Sequence, residues 1–124
     1  LLVLLIKELK MEFNFKKNGN TIIVYLKGRL DVHHCADIEQ EISKLLSYEM
    51  SSHLLFNMKD VEYISSSGLR IIVSTMKRLK EENRNMAICN INNSVKKIFE
   101  IVQLTDMFNI FSSEDDAFNF LKMI

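Results

Sequence analysis

The chain has 124 residues, 48% of them hydrophobic and 26% charged, and its 16 basic and 16 acidic side chains balance to zero formal charge. This suits one domain with its own core and excludes a disordered chain, which needs fewer apolar residues and more net charge. Scattered cations on a neutral chain also lack the electrostatic footprint of a nucleic-acid binder, and Lys77, Arg78 and Lys80 read as the solvated face of a helix.

At the N-terminus, Leu1 to Ile6 is apolar, but no basic flank precedes it and no small-residue cleavage site follows. It is also far shorter than the roughly 20 residues that span a bilayer, so no stable membrane insertion is expected. Residues 1–10 read as an upstream extension or expression remnant, with an apolar docking segment as the other reading, and residues 11–124 read as a single domain. Met11, Phe13 and Phe15 alternate with polar residues as in a half-buried strand. Asn18-Gly19-Asn20 then marks a hairpin into a second strand, Thr21 to Lys27, with Ile22, Val24 and Leu26 on one face.

A helix is predicted from about His34 to Glu49, with Cys35, Ile38, Ile42, Leu45 and Leu46 inward. His53 to Met58 is a short apolar run suited to a central strand covered on both faces, and Lys59 to Ile64 leads from it to a second helix beginning near Ser66. That helix presents Leu69, Ile72, Val73, Met76 and Leu79, and Met86 to Cys89 completes a strand–helix–strand unit with parallel strands. Val95, Ile98, Phe99 and Val102 form a third helical stripe capped by Asn93 or Ser94. Phe108 to Phe111 reads as a short edge strand, and Ser113 opens a last helix carrying Ala117, Phe118 and Leu121. The order β-β-α-β-α-β-α-β-α implies an α/β fold: a mixed sheet of about five strands with helices packed on it. The expected core includes Val24, Leu54, Phe56, Leu69, Ile72, Val73, Ile88 and Phe99.

Few residues offer chemistry. Gly19, Gly28 and Gly68 are the only glycines and build no phosphate cradle, so no nucleotide or other cofactor is expected. His33, His34, Cys35 and Asp37 are neighbours at a helix start, where side chains diverge rather than converge on a metal; His34 and Asp37 could share a helix face, and a helix N-cap region is the plainer reading. Cys35 and Cys89 are too few for a disulfide framework and read as small apolar fillers in a reducing cytoplasm. Ser65-Ser66-Ser67-Gly68 follows a strand, but a nucleophile elbow needs glycine where Ile64 stands, and a hydrolase also needs a base and an orienting acid.

The serine turn has two readings. Serines are common helix caps, and Gly68 then lets the helix approach a neighbour. Alternatively, the first turn of a helix beyond the carboxyl end of a strand tolerates an added phosphate, which brings about −1.5 to −2 charge to a neutral spot.

The stretch Asp60-Val61-Glu62-Tyr63-Ile64-Ser65-Ser66-Ser67-Gly68-Leu69-Arg70 resembles the signature of STAS domains, specifically of bacterial anti-sigma factor antagonists. Gly28-Arg29-Leu30-Asp31 with Ala36, Asn57 at the end of the central strand, and Val95-Lys96-Lys97-Ile98-Phe99 resemble further family segments, and the likeness runs from Met11 to about Leu121. The resemblance implies a protein that is not an enzyme but a kinase substrate. Unmodified, it would bind a GHKL-type anti-sigma factor serine kinase and so free a sigma factor; phosphorylation at Ser66 would release it, and a PP2C-type phosphatase would reset it. It further implies a contact surface of Asp31, Ser65, Ser66, Ser67, Gly68, Leu69 and Arg70, with Gly68 placed where a partner backbone approaches. The alternative is a STAS interaction module of another signalling or lipid-transport complex without the switch. Where well-studied members carry Asp before the phosphorylated serine, this chain has Ser65.

Overall fold

A computed structural model describes residues 13–124; the expectations for Met11 and for residues 1–10 lie outside the described residues. Strands β1 (Phe13–Asn18), β2 (Thr21–Leu30), β3 (His53–Ile64), β4 (Met86–Cys89) and β5 (Asn109–Phe111) form one sheet in sequence order. Helices α1 (Val32–Tyr48), α2 (Ser66–Glu81), α3 (Asn93–Ile101) and α4 (Glu114–Lys122) follow β2, β3, β4 and β5, and a 3-10 turn, Thr105–Met107, precedes β5. The hairpin pair β1–β2 is antiparallel, and every later pair is parallel. The mixed sheet with a central β3 is therefore present as the sequence implied.

Period-2 alternation divides the sheet into two unequal faces. Ile22, Val24 and Leu26 of β2, Leu54 and Phe56 of β3, and Ile88 of β4 meet α1, α2 and α3 in the larger core. Ile23, Leu55, Ala87 and Cys89 point the other way and are covered by Ala117 and Leu121 of α4. This two-sided cover explains why His53 to Met58 is a nearly continuous apolar run.

Several expectations shift. Val73 is only partly buried and Val102, 44% exposed, lies at the end of α3 outside the core. Phe15 is 53% exposed, so β1 is a less covered edge than its alternation suggested. The cap of α3 is Asn92, whose Oδ1 accepts from the Val95 amide at 2.8 Å, rather than Asn93 or Ser94. Ser113 caps α4 as predicted, accepting from the Asp116 amide. Lys59 to Ile64 is not a connecting segment: β3 continues to Ile64, paired with a β2 that continues to Leu30.

Arg84, between α2 and β4, is 4% exposed and holds the end of α1. Its Nε donates to Ser52 O at 2.6 Å, Nη2 to Glu49 O at 2.6 Å, and Nη1 to Leu46 O at 3.3 Å and Glu82 Oε1 at 2.7 Å. The last carbonyls of a helix have no intrahelical donors, so one guanidinium fork both supplies a donor to Leu46 O and to the cap residue's Glu49 O and anchors the following loop through Ser52 O.

Candidate functional site

The extended β2–β3 ladder positions the site. Its parallel register ends with Leu30 beside Ile64, so the next residues, Asp31 and Ser65, leave adjacent strands side by side. Each becomes a helix N-cap in extended conformation, Asp31 for α1 and Ser65 for α2. Two helix N-termini therefore emerge together at the carboxyl end of the sheet, where open α/β sheets place their functional crevices. Register shifts between Tyr25 and Lys27 and between Gly28 and Arg29 adjust β2 on the way, and Gly28 takes φ +89°, which side-chain-bearing residues rarely adopt.

Asp31 is tied on several sides. Its Oδ1 accepts from the His33 amide at 3.0 Å and from His34 Nδ1 at 2.9 Å, and Arg29 Nε lies 3.8 Å from Oδ2. Desolvation pushes the carboxyl up, but the bonds from His34 and the His33 amide outweigh it and hold Asp31 below its ordinary range. His34 thus pairs with Asp31, not Asp37, and among the described residues no group of three or more His, Cys, Asp or Glu is placed to hold a metal. The Arg29 guanidinium stacks 4.5 Å from the Tyr63 ring centroid across the same strand pair.

The three serines are not equivalent. Ser65 is half-buried; its hydroxyl donates to Leu30 O at 2.9 Å and accepts from the Gly68 amide at 3.2 Å. Its own amide also donates to Leu30 O at 2.9 Å. Ser66 is exposed, Ser67 half-buried, and among the described residues neither side chain makes a hydrogen bond. No serine of the turn is bonded to a histidine, so the nucleophile–base contact of a serine hydrolase is not made.

Gly68 and Leu69 are buried, and Arg70 is exposed. A Cβ on Gly68 would lie 2.7 Å from Leu30 O, 2.8 Å from Ile64 Cγ1 and 2.9 Å from Leu30 Cβ. The space that sequence reasoning assigned to a partner's backbone is occupied by the domain's own β2 and β3. Gly68 permits α2 to start hard against the strand ends, and Leu69 anchors the turn from below; the solvent-facing part of the expected surface is Asp31, Ser66, Ser67 and Arg70. Sequence reasoning did not pair Arg29 with Tyr63, because their meeting depends on a strand register that periodicity alone does not reveal; the His34–Asp31 contact is local, three residues apart at the start of α1.

Residues 12–117 match the STAS domain family, and the chain belongs to it. The anti-sigma F factor antagonist of Paenibacillus polymyxa is 23% identical over 117 residues, covering 94% of this chain and 99% of that protein. The anti-sigma-B factor antagonist of Bacillus subtilis (strain 168) is 28% identical over 102 residues, covering 82% of this chain and 92% of that one. Among solved structures, the anti-sigma factor antagonist SpoIIAA in its unphosphorylated form superposes with a TM-score of 0.78 at 21% identity, covering 91% of this chain and 98% of that one.

Proposed function

We propose that this STAS domain is an anti-sigma factor antagonist: a regulatory binding protein, not an enzyme, that switches partners in the cytoplasm when Ser66 is phosphorylated. Relatives named as antagonists of anti-sigma F and anti-sigma-B factors support the general role. The observation that carries the switch is the division of labour among the serines. Ser65 is engaged as cap and strand tether, leaving exposed Ser66 at the first helical position of α2 with its hydroxyl unbonded.

In the unmodified state, the turn presents small neutral hydroxyls that a partner covers at little desolvation cost. The partner in this reading is a GHKL-type anti-sigma factor serine kinase, whose capture frees a sigma factor. The kinase transfers the terminal phosphoryl group of ATP to Ser66 Oγ, leaving ADP. The resulting charge sits at the positive end of α2, where the domain tolerates it but a snug interface does not. A PP2C-type phosphatase restores the hydroxyl.

The test combines phosphopeptide mass spectrometry after incubation with the source organism's GHKL-type kinase and ATP with affinities of Ser66 variants for that kinase. Phosphate is expected on Ser66, retained binding in Ser66→Ala, and binding weakened by about 2–5 kcal/mol in Ser66→Asp. Phosphate on Ser67 moves the site, and equal affinities for wild type, Ser66→Ala and Ser66→Asp reject the switch.

A further inference from the structure

We infer that Arg70 is an intramolecular clamp for the phosphate on Ser66, an inference that rests on the modification proposed above. Ser66 and Arg70 are the first and fifth residues of α2, so they are neighbours on its surface at the spacing where side chains meet. Burial along the helix puts them on one face: Ser66, Arg70, Ser74 and Lys77 are all exposed, while Leu69, Ile72 and Leu79 are buried. Helical side chains lean toward the N-terminus, which puts the serine turn within reach of the Arg70 side chain. The order also favours pairing, since an anion four residues before a cation complements the helix dipole.

The other arginines have work to do. Among the described residues, Arg29 lies against Asp31 and Tyr63, Arg78 pairs with Glu82 and bonds Ser43 and Ser47, and Arg84 is buried among carbonyls. Arg70 lies close enough to Cys35 of α1 to act on its thiol electrostatically but makes no hydrogen bond or ion pair there, so no bond must break for it to meet a phosphate. Asp31, on the neighbouring helix start, is already bonded to His34 and to the His33 amide. A guanidinium presents paired donors that match phosphate oxygens, and the pair would sit over the first-turn amides of α2.

The clamp gives phosphorylation two effects on the surface. It adds negative charge at Ser66, and it withdraws the Arg70 guanidinium from the partner it would otherwise face. Arg70 is thus a positioning residue for the modified state as well as part of the contact surface of the unmodified one.

The test places phosphoserine at position 66 during translation, so that no kinase is needed, and titrates the full chain by phosphorus NMR. A nearby cation favours the dianion, so the wild-type phosphate should titrate about 0.3–1 pH unit below that of Arg70→Gln at low salt. Arg70→Lys should fall between them, because it keeps the charge without the fork. Lys80→Gln, near the far end of α2, should match wild type, and unchanged melting of unmodified Arg70→Gln shows that the fold is intact. Higher salt should narrow the gap. Equal midpoints for wild type and Arg70→Gln overturn the clamp while leaving the switch standing. Failure of the kinase to modify Ser66 rejects the switch and leaves the clamp measurement readable.

Discussion

Arg84→Met removes the guanidinium while keeping an unbranched apolar stem, and the structure allows its cost to be worked out. Ser52 O at 2.6 Å and Leu46 O at 3.3 Å lose their donor, and Glu49 O loses its 2.6 Å bond and keeps only the 3.4 Å one from the Ser52 amide. Leaving a buried acceptor unsatisfied costs about 1–3 kcal/mol, but Glu49 and the loop that follows it lie close enough to solvent for water to replace part of this. The net loss expected is about 3 kcal/mol, a large share of the roughly 5–15 kcal/mol that holds a domain together. Urea unfolding followed by circular dichroism should show a lower midpoint at unchanged slope, and hydrogen exchange should rise at the end of α1 first. Arg84→Lys should recover only part, since one ammonium cannot reach carbonyls from three directions. A loss below about 1 kcal/mol for Arg84→Met would mean that the end of α1 is satisfied without the clamp.

Other substitutions separate the turn's structural role from the signalling role proposed for it. Gly68→Ala puts a methyl 2.7 Å from Leu30 O, so overpacking of about 1–3 kcal/mol should outweigh the roughly 1 kcal/mol gain in helix propensity; a melting temperature at or above wild type would refute that packing. Ser65→Ala loses both the cap to Gly68 N and the tether to Leu30 O and should cost about 1–2 kcal/mol in denaturant titration, yet Ser66 should remain a kinase substrate; loss of phosphorylation in a folded Ser65→Ala would reassign the acceptor. His53 accepts the Asn85 amide at 3.0 Å, and burial, then the charge of Arg84, push its pKa below the ordinary 6.5. Its contribution to stability is complete above about pH 6.5 and is lost as the pH falls through the folded value, so His53→Gln should flatten the fall in melting temperature between about pH 7 and 5.

The element order was legible because each signal was local: period-2 alternation in β2, the Asn-Gly hairpin, helical stripes in α1 and α2, and the cap at Ser113. What the sequence concealed depends on pairing across the sheet. Lys59 to Ile64 looks like a connection because Lys59, Asp60, Glu62 and Tyr63 are exposed, yet Val61 and Ile64 are buried and the ladder with Lys27 to Leu30 makes the segment strand. Asn83-Arg84-Asn85 has the polarity of a surface loop, and nothing in its composition marks Arg84 as buried beneath the end of α1.

The same distinction governs the site. The motif pointed to this turn, but residue types alone could not separate a serine that is tied into the fold from one that is exposed to solvent. That separation comes from the parallel register, which sets Ser65 against Leu30 O and leaves Ser66 one position further on, in solvent. A serine before Ser66 therefore preserves what a carboxylate cap provides to the Gly68 amide and adds a donor to β2 that a carboxylate lacks. It also leaves the turn without a fixed negative charge of its own, so that in this chain the phosphate would be the first anion on the exposed start of α2, with Arg70 four residues away to meet it. The contrast between the unmodified and modified surfaces is then set by the phosphate and by whether Arg70 is free.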